Sequence, residues 1–417
     1  MYQSTNFQGG RPVNASKLKT IILASSATIM AASLMVFPKE SFEASLRGLT
    51  MWWEVVFPSL LPFFIVSEFL IGFGVVSFLG TLLEPLMRPL FRVPGVGGFV
   101  WAMGLASGYP AGAKLTARLR QENKLTAIEA ERLVSFTNSS NPLFIFGAIA
   151  VGFFHNPALG IVLALSHYLG NFCVGLVMRF HGSKKEETTQ KDKDNKLSLK
   201  TALHMLHQER LKDGRPIGKI LGDAVQSSVS TLLMIGGFII LFSVLNRLLS
   251  LLDITTLLSL FVSVILAFFH MPNELSLPLI SGIFEITLGG QMASQTGAAT
   301  LFQQVIITSF ILAFSGFSVQ AQVASILAET DIRFKPFFIA RLFHGLFAAF
   351  FTVILWKPLY VDQQLVEKGT NTVPVFLQGE TYSVFHNMWQ LLLTYGQLVT
   401  LIALMIYVVL TFKKLSP

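Results

Sequence analysis

A chain of 417 residues that is 52% hydrophobic and only 13% charged cannot cover the surface of a soluble globule, for which about a quarter of the residues are charged. Its net charge of +8 is concentrated: 11 of the 31 Lys and Arg lie in residues 179–219 against six acids, and no Phe, Tyr or Trp follows Phe180 there. That pattern excludes a nucleic-acid surface and points to a membrane-facing cytoplasmic segment. The single cysteine, Cys173, excludes an internal disulfide and argues against a structural cysteine–zinc site.

Six blocks contain no Asp, Glu, Lys or Arg: residues 20–38, 133–178, 224–246, 254–273, 286–328 and 381–412. One membrane span needs about 20 mainly apolar residues, so the longer blocks hold two helices or a broken one. The expected fold class is all-α: a polytopic membrane protein of about eight transmembrane helices plus two re-entrant helical hairpins, in two weakly similar and possibly inverted halves.

In chain order, residues 1–19 form a polar, disordered cytoplasmic tail. The apolar run after Lys19 resembles a signal sequence, but Phe37-Pro38-Lys39 replaces the small-x-small cleavage site, so an uncleaved first helix is expected. The first membrane half spans 20–179. A helix near 52–73 carries Glu68, and 75–92 reads as interfacial, with Glu84 and Arg88 at i,i+4. Residues 95–106 and 111–120 are each too short to span and hinge at Gly108-Tyr109-Pro110, which predicts a re-entrant hairpin. Residues 180–219 are the basic linker, with His204 and His207 three apart but no third metal ligand. The second half spans 220–357 and includes a second predicted hairpin near 301–328 around Ser315-Gly316-Phe317. A loop (358–384) and a final helix with its tail (385–417) close the chain.

The most telling feature is a polar motif written twice inside apolar sequence: SGYPAGAKL from Ser107 and SGFSVQAQV from Ser315, each followed by an Arg-Leu pair at Arg132 and Arg341. Glu84 before the first copy answers Glu285 before the second. Paired Gly/Pro interruptions of this kind mark transporter binding sites. An interrupted helix frees backbone groups that lipid cannot satisfy, and a half-helix N-terminus suits anions. Ser107, Gly108, Tyr109, Ser315, Gly316, Phe317 and Gln320 are therefore candidate substrate contacts; tight helix packing is the alternative use of the two glycines. Lys114, one turn inside the first half-helix, is the candidate to neutralise an anionic solute, whereas Arg118 and Arg120 read as snorkelling. The run 137–142 adds Asn138, Ser139 and Asn141, and Pro142 removes the hydrogen bond to the Asn138 carbonyl. Glu285 and Glu68, acids in apolar surroundings, are candidates for proton coupling. The histidines His167, His270 and His344 read as packing residues.

Lys and Arg orient the chain with its N-terminus, residues 88–92, residues 114–132 and the linker in the cytoplasm, so that the first hairpin enters from that side. An inverted second half with a hairpin at 301–328 then places Arg333, Lys335, Lys413 and Lys414 outside, against that rule. No P-loop, H-E-x-x-H, G-x-S-x-G or dinucleotide fingerprint is present, so no enzyme activity and no cofactor are expected. The expected partners are a small anionic solute and the lipid bilayer, without nucleic acid; a homo-oligomer is compatible with the sequence.

The runs VGGFVWAMGLASGYPAGAKLTARL and LVSFTNSSNPLFIFGAIAVGFF, with SGFSVQAQ in the second half, resemble the sporulation integral membrane protein family YlbJ, also called SpoVV. The resemblance implies a Gate, or nucleoside-recognition, domain related to concentrative nucleoside transporters. It also implies movement of dipicolinic acid from the mother cell across the outer forespore membrane. A nucleoside-type or other neutral-solute carrier, and a non-transporting assembly factor for the spore cortex, are the rival readings.

Overall fold

A computed structural model describes residues 13–182 and 199–363. The remaining residues, which include most of the expected tail, residues 183–198 of the linker and the final helix at 385–412, lie outside that description. Residues through Tyr360 form one compact unit, and its regular elements are helical throughout the described residues.

Helix α1 (Val13–Val36) is the apolar first helix expected from sequence, and Pro38 starts the next one. Two long rods then organise the unit. Helices α2 (Pro38–Met51) and α3 (Phe57–Gly72) are joined without a gap by a π-helical turn, Trp52–Val56. They run antiparallel to α10 (Ile217–Leu251). Three ties fix the register: Ser243 Oγ donates to the Ala44 carbonyl (2.7 Å), Trp52 Nε1 to the Leu232 carbonyl (2.8 Å), and Ser227 Oγ to Glu68 (3.2 Å). The start of α10 follows the basic linker, so that end is called the basic face, and Arg247 lies near the opposite one.

After each rod the chain repeats the same order of elements. α4 (Val75–Phe91) turns 82° from the preceding helix. It stays on the basic face, packed on the linker helix α9 (Leu199–Asp213) and tied by Arg88 to Glu129 (2.9 Å). α5 (Val96–Ser107) then enters, breaks at 108–110, and α6 (Ala111–Gln121) returns to the basic face. The hairpin can close this tightly because a methyl group on Gly104 or Gly112 would overlap the Thr137 carbonyl between them. A Thr126–Glu129 capping box starts α7 (Ala127–Thr137). The span breaks at 138–141, resumes as the π-helical segment Phe144–Phe153 and reaches the opposite face, and α8 (Leu159–Met178) returns.

The second rod is followed by α11 (Ile254–Phe268), then α12 (Ser276–Phe284) and α13 (Ile286–Ser294). These last two fold back on each other so closely that a methyl on Gly289 would overlap the Gly282 backbone. This hairpin enters from the opposite face: Asn246, near the far end of α10, donates to the Ser281 carbonyl (3.3 Å). A Thr300–Gln303 capping box then starts α14 (Leu301–Phe314), which breaks at Ser315 and continues as α15 (Gly316–Leu327) to the basic face. α16 (Phe334–Trp356) crosses back and packs along α8.

Two expectations are corrected. The second fold-back lies at Glu285, not at 301–328: residues Leu301–Leu327 form one candidate span, because Ser315 in the left-handed region (φ 67°) interrupts the helix without reversing it. The Ser315 motif therefore answers the break at 138–141, and hairpin answers hairpin, entering from opposite faces. The difficulty with Arg333 also disappears, since Arg333 pairs with Glu131 (2.6 Å) and Asp331 with Arg120 (2.7 Å) on the basic face. Among the described residues five helices are long and apolar enough to cross a membrane, six if the bent pair counts as one. The expected eight included 254–269, which forms a helix of 15 residues, shorter than a span.

Candidate functional site

Four helix interruptions meet in the middle of the molecule. The tip of the first hairpin is pinned to the first broken span by Asn141, whose Nδ2 donates to the Ser107 carbonyl (3.0 Å) while its Oδ1 accepts from Phe144 N–H (2.8 Å). Gly108 allows this approach: its φ is +85°, and a side chain there would press on Asn141. Tyr109 reaches the second broken span, its hydroxyl donating to the Leu312 carbonyl (2.7 Å) just before the Ser315 break. Gly316 sits against the carbonyls of Gly282 and Phe284 beneath the second hairpin's tip. At that tip Glu285 caps α13, accepting from Thr287 N–H (3.1 Å), Leu288 N–H (2.8 Å) and the Thr287 hydroxyl.

Between them lies a cavity of about 600 Å³. Its polar lining comes from all four breaks: Ser107 and Gly108, Ser140 and Asn141, Glu285 and Thr287, and Ser318 and Gln322. Tyr109 and Phe144 supply aromatic wall, and Glu54 joins from the π-helical turn. The Ser107 and Ser140 hydroxyls have no hydrogen-bond partner among the described residues. The lining includes no Lys and no Arg.

Glu54, Ile239, Glu285 and Thr287 also line a vestibule of about 930 Å³ that includes Glu43, Arg47, Ser243, Asn246 and Arg247. Ile235 and Ile239 of α10 mark the cavity, and Ile239 to Ser250 mark the vestibule. At 1.5 Å per residue the vestibule extends about 16 Å toward the end of α10 remote from the linker. In the other direction, about 18 Å from Ile239, Ser227 belongs to an ion cluster. There Glu68 pairs with Arg118 and with Lys114 (3.4 Å), Lys114 Nζ donates to Ser227 Oγ (3.1 Å), and it lies 5.2 Å from the Phe64 ring centre. The vestibule thus lies on the side of the cavity away from the basic face, and the ion cluster on the side toward it. The Asp331 carboxyl, on the basic face, is held below its usual range by its hydrogen bonds from Arg120. A depressed carboxylate pKa means that this tie is present at neutral pH and lost only as the pH falls through the lowered value.

The candidate residues therefore separate. Ser107, Gly108, Tyr109, Asn141 and Glu285 line the cavity. Lys114 and Glu68 do not; they neutralise each other. Asn138 and Ser139 are fully buried behind the wall, and the carbonyl freed by Pro142 is taken by Arg341 Nη1 (2.7 Å). Gln320 turns back to the Phe314 carbonyl (3.0 Å), Phe317 packs on Phe284 and Phe314, and Ser315 is buried. The wall residues Ser318 and Gln322 escape the sequence reading although their i,i+4 spacing puts them on one face of the half-helix, opposite Gln320. Glu54, an acid within MWWEVVF, carries a signal of the same kind as Glu68. His344 donates from Nε2 to the His167 carbonyl (2.8 Å), and His167 Nε2 accepts from Ser140 N–H (3.0 Å), which brace the first broken span.

The family model described as Gate, nucleoside recognition, matches residues 53–154, the stretch from the π-helical turn through the first hairpin and first broken span. The sporulation integral membrane protein YlbJ of Bacillus subtilis (strain 168) is 59% identical over 409 residues, covering 97% of this chain and 98% of that protein. No solved structure matches. The chain belongs to the YlbJ family of sporulation integral membrane proteins.

Proposed function

We propose that the protein is a carrier for a small aromatic dicarboxylate, dipicolinic acid, across the outer forespore membrane. The observation that carries this reading is the convergence of two hairpins from opposite faces and two broken spans on one cavity. Such interruptions place free backbone dipoles and small polar side chains at the middle of the bilayer, and rocking of the halves can expose them to either side in turn. The cavity has the volume for a small-molecule ligand. Tyr109 and Phe144 offer ring faces, and hydroxyls and amides from all four breaks offer hydrogen bonds. Glu285, at the tip and shared with the vestibule, is the residue to exchange protons with a transported acid; Glu68, paired with Lys114 and Arg118, serves closure of the basic face.

A second reading has its own support. The wall lacks Lys and Arg, and the matching family model is described by nucleoside recognition, which favours an uncharged planar solute such as a nucleoside. Flux of labelled dipicolinate into liposomes holding the purified protein separates the two, with and without a proton gradient. The carrier reading expects dipicolinate flux that excess unlabelled dipicolinate suppresses and uridine does not. Suppression by uridine selects the nucleoside reading, and movement of no solute selects an assembly role. In the same assay Tyr109→Ala is expected to cut flux by about tenfold or more, through lost ring contact and the loosened Leu312 carbonyl.

A further inference from the structure

Deepening the carrier reading, on which it rests, we infer that Arg341 supplies the positive charge that selects anions at this cavity, acting from behind the Tyr109 wall. Its guanidinium is fully buried. It donates to the carbonyls of Asn138 (2.7 Å) and Ser135, lies 3.1 Å from His344 Nδ1 and 3.5 Å from Asn171 Oδ1, and faces the Phe337 ring. Among the described residues none of these partners is a carboxylate, and Nε has no partner. The carbonyls at the end of α7 offset part of the charge, as a helix C-terminus does. The remainder is a buried cation without a counter-ion, a costly arrangement that an arriving anion relieves.

The position matters as much as the charge. The Tyr109 hydroxyl lies beside the guanidinium and Tyr109 lines the cavity. Arg341 also grips the break whose next residues, Ser140 and Asn141, form the wall. Among the described residues further polar groups at the same break have no partner: the Asn138 amide and the Ser139 and Ser140 hydroxyls, each of them at most 1% exposed. In a region of low dielectric such a charge is weakly screened and acts across one layer of side chains. The cavity is therefore polarised, positive at the hinge end near Arg341 and negative at the vestibule end, where Glu54 and Glu285 stand. Lys114 cannot perform this role, since Glu68 already neutralises it.

The alternative is that Arg341 only clamps carbonyls, as Arg132 does for those of Arg92 (2.9 Å) and His181 (2.7 Å). A clamp affects charged and neutral solutes alike, so the ratio of affinities decides. The full-length protein in detergent is titrated with dipicolinate and with its uncharged diamide. Wild type is expected to prefer the dianion. Arg341→Gln is expected to reduce that preference about ten- to hundredfold, and Arg341→Lys to retain most of it. An unchanged ratio in folded Arg341→Gln, or equal weakening of both ligands, would overturn the inference while leaving the carrier reading in place. Should Arg341→Gln not fold, wild type and Arg341→Lys still decide: a diamide bound as tightly as the dianion by wild type, or preference lost in a folded lysine variant, overturns it. Wild type that binds neither compound would overturn the carrier reading and this inference together.

Discussion

Gly112→Ala and Gly289→Ala are each expected to prevent the protein from reaching its native fold, whereas Gly237→Ala is expected to leave stability unchanged or slightly raised. Gly112 holds the first hairpin against the Thr137 carbonyl and Gly289 holds the second against Gly282, and in both places the obstructing atoms are backbone. Overpacking a core normally costs about 1–3 kcal/mol because side chains yield. Backbone pressed on backbone cannot yield, so the cost is expected at or above the top of that range, a large part of a typical total stability. At Gly237, inside α10, no atom lies within 4 Å of where an added methyl group would sit, and alanine there favours the helix by about 0.5–1 kcal/mol. Melting curves followed by size-exclusion fluorescence provide the check. Native-like melting of both hairpin variants would mean that the two fold-backs are not packed as described.

Glu68→Ala is the second change with a large expected effect. It leaves Lys114 and Arg118 facing each other without their shared acid in a site where Glu68 is only 8% exposed. Breaking a buried ion pair by removing one partner costs about 3–5 kcal/mol. The low end of that range applies here, because Arg118 keeps Glu122 at 3.1 Å and part of its surface is in contact with solvent. Removing both charges avoids the stranded cation, so Glu68→Gln combined with Lys114→Met is expected to be more stable than Glu68→Ala. A double-mutant cycle should give a coupling above about 1 kcal/mol. On this account Lys114→Ala impairs function by weakening closure of the basic face, and dipicolinate affinity of the folded variant stays close to wild type. A selective loss of affinity in Lys114→Ala would return that lysine to the binding site.

The parts of the molecule that sequence revealed are those with a local cause. Charge-free blocks mark membrane helices, Gly108-Tyr109-Pro110 breaks a helix within three residues, and Glu84 and Arg88 pair at i,i+4 as their spacing suggests. The parts it concealed depend on distant partners. Lys114 reads as a free cation until α3 brings Glu68 to it from 46 residues away. The Asn138 carbonyl reads as available until α16 delivers Arg341 from 203 residues away. The repeated Ser-Gly motif suggested hairpin matched to hairpin, but a Ser-Gly step allows either a fold-back, as at Gly108 (φ 85°), or a simple interruption, as at Ser315 (φ 67°). What decided between them was Gly282 and Gly289, two small residues that let α12 and α13 pack together and leave Glu285 at the tip. The Thr126 and Thr300 capping boxes were readable in sequence and give the true register of the halves.

The central claim, a solute site at the meeting of four helix interruptions with access from the face opposite the basic linker, is tested most directly by thiol labelling. With Cys173 replaced by serine, Ser318→Cys places one thiol on the cavity wall. A membrane-impermeant maleimide applied at the face opposite the linker is expected to label it, and saturating dipicolinate is expected to slow that labelling. Labelling that neither dipicolinate nor uridine slows, or a thiol reached only from the basic face, would contradict the account.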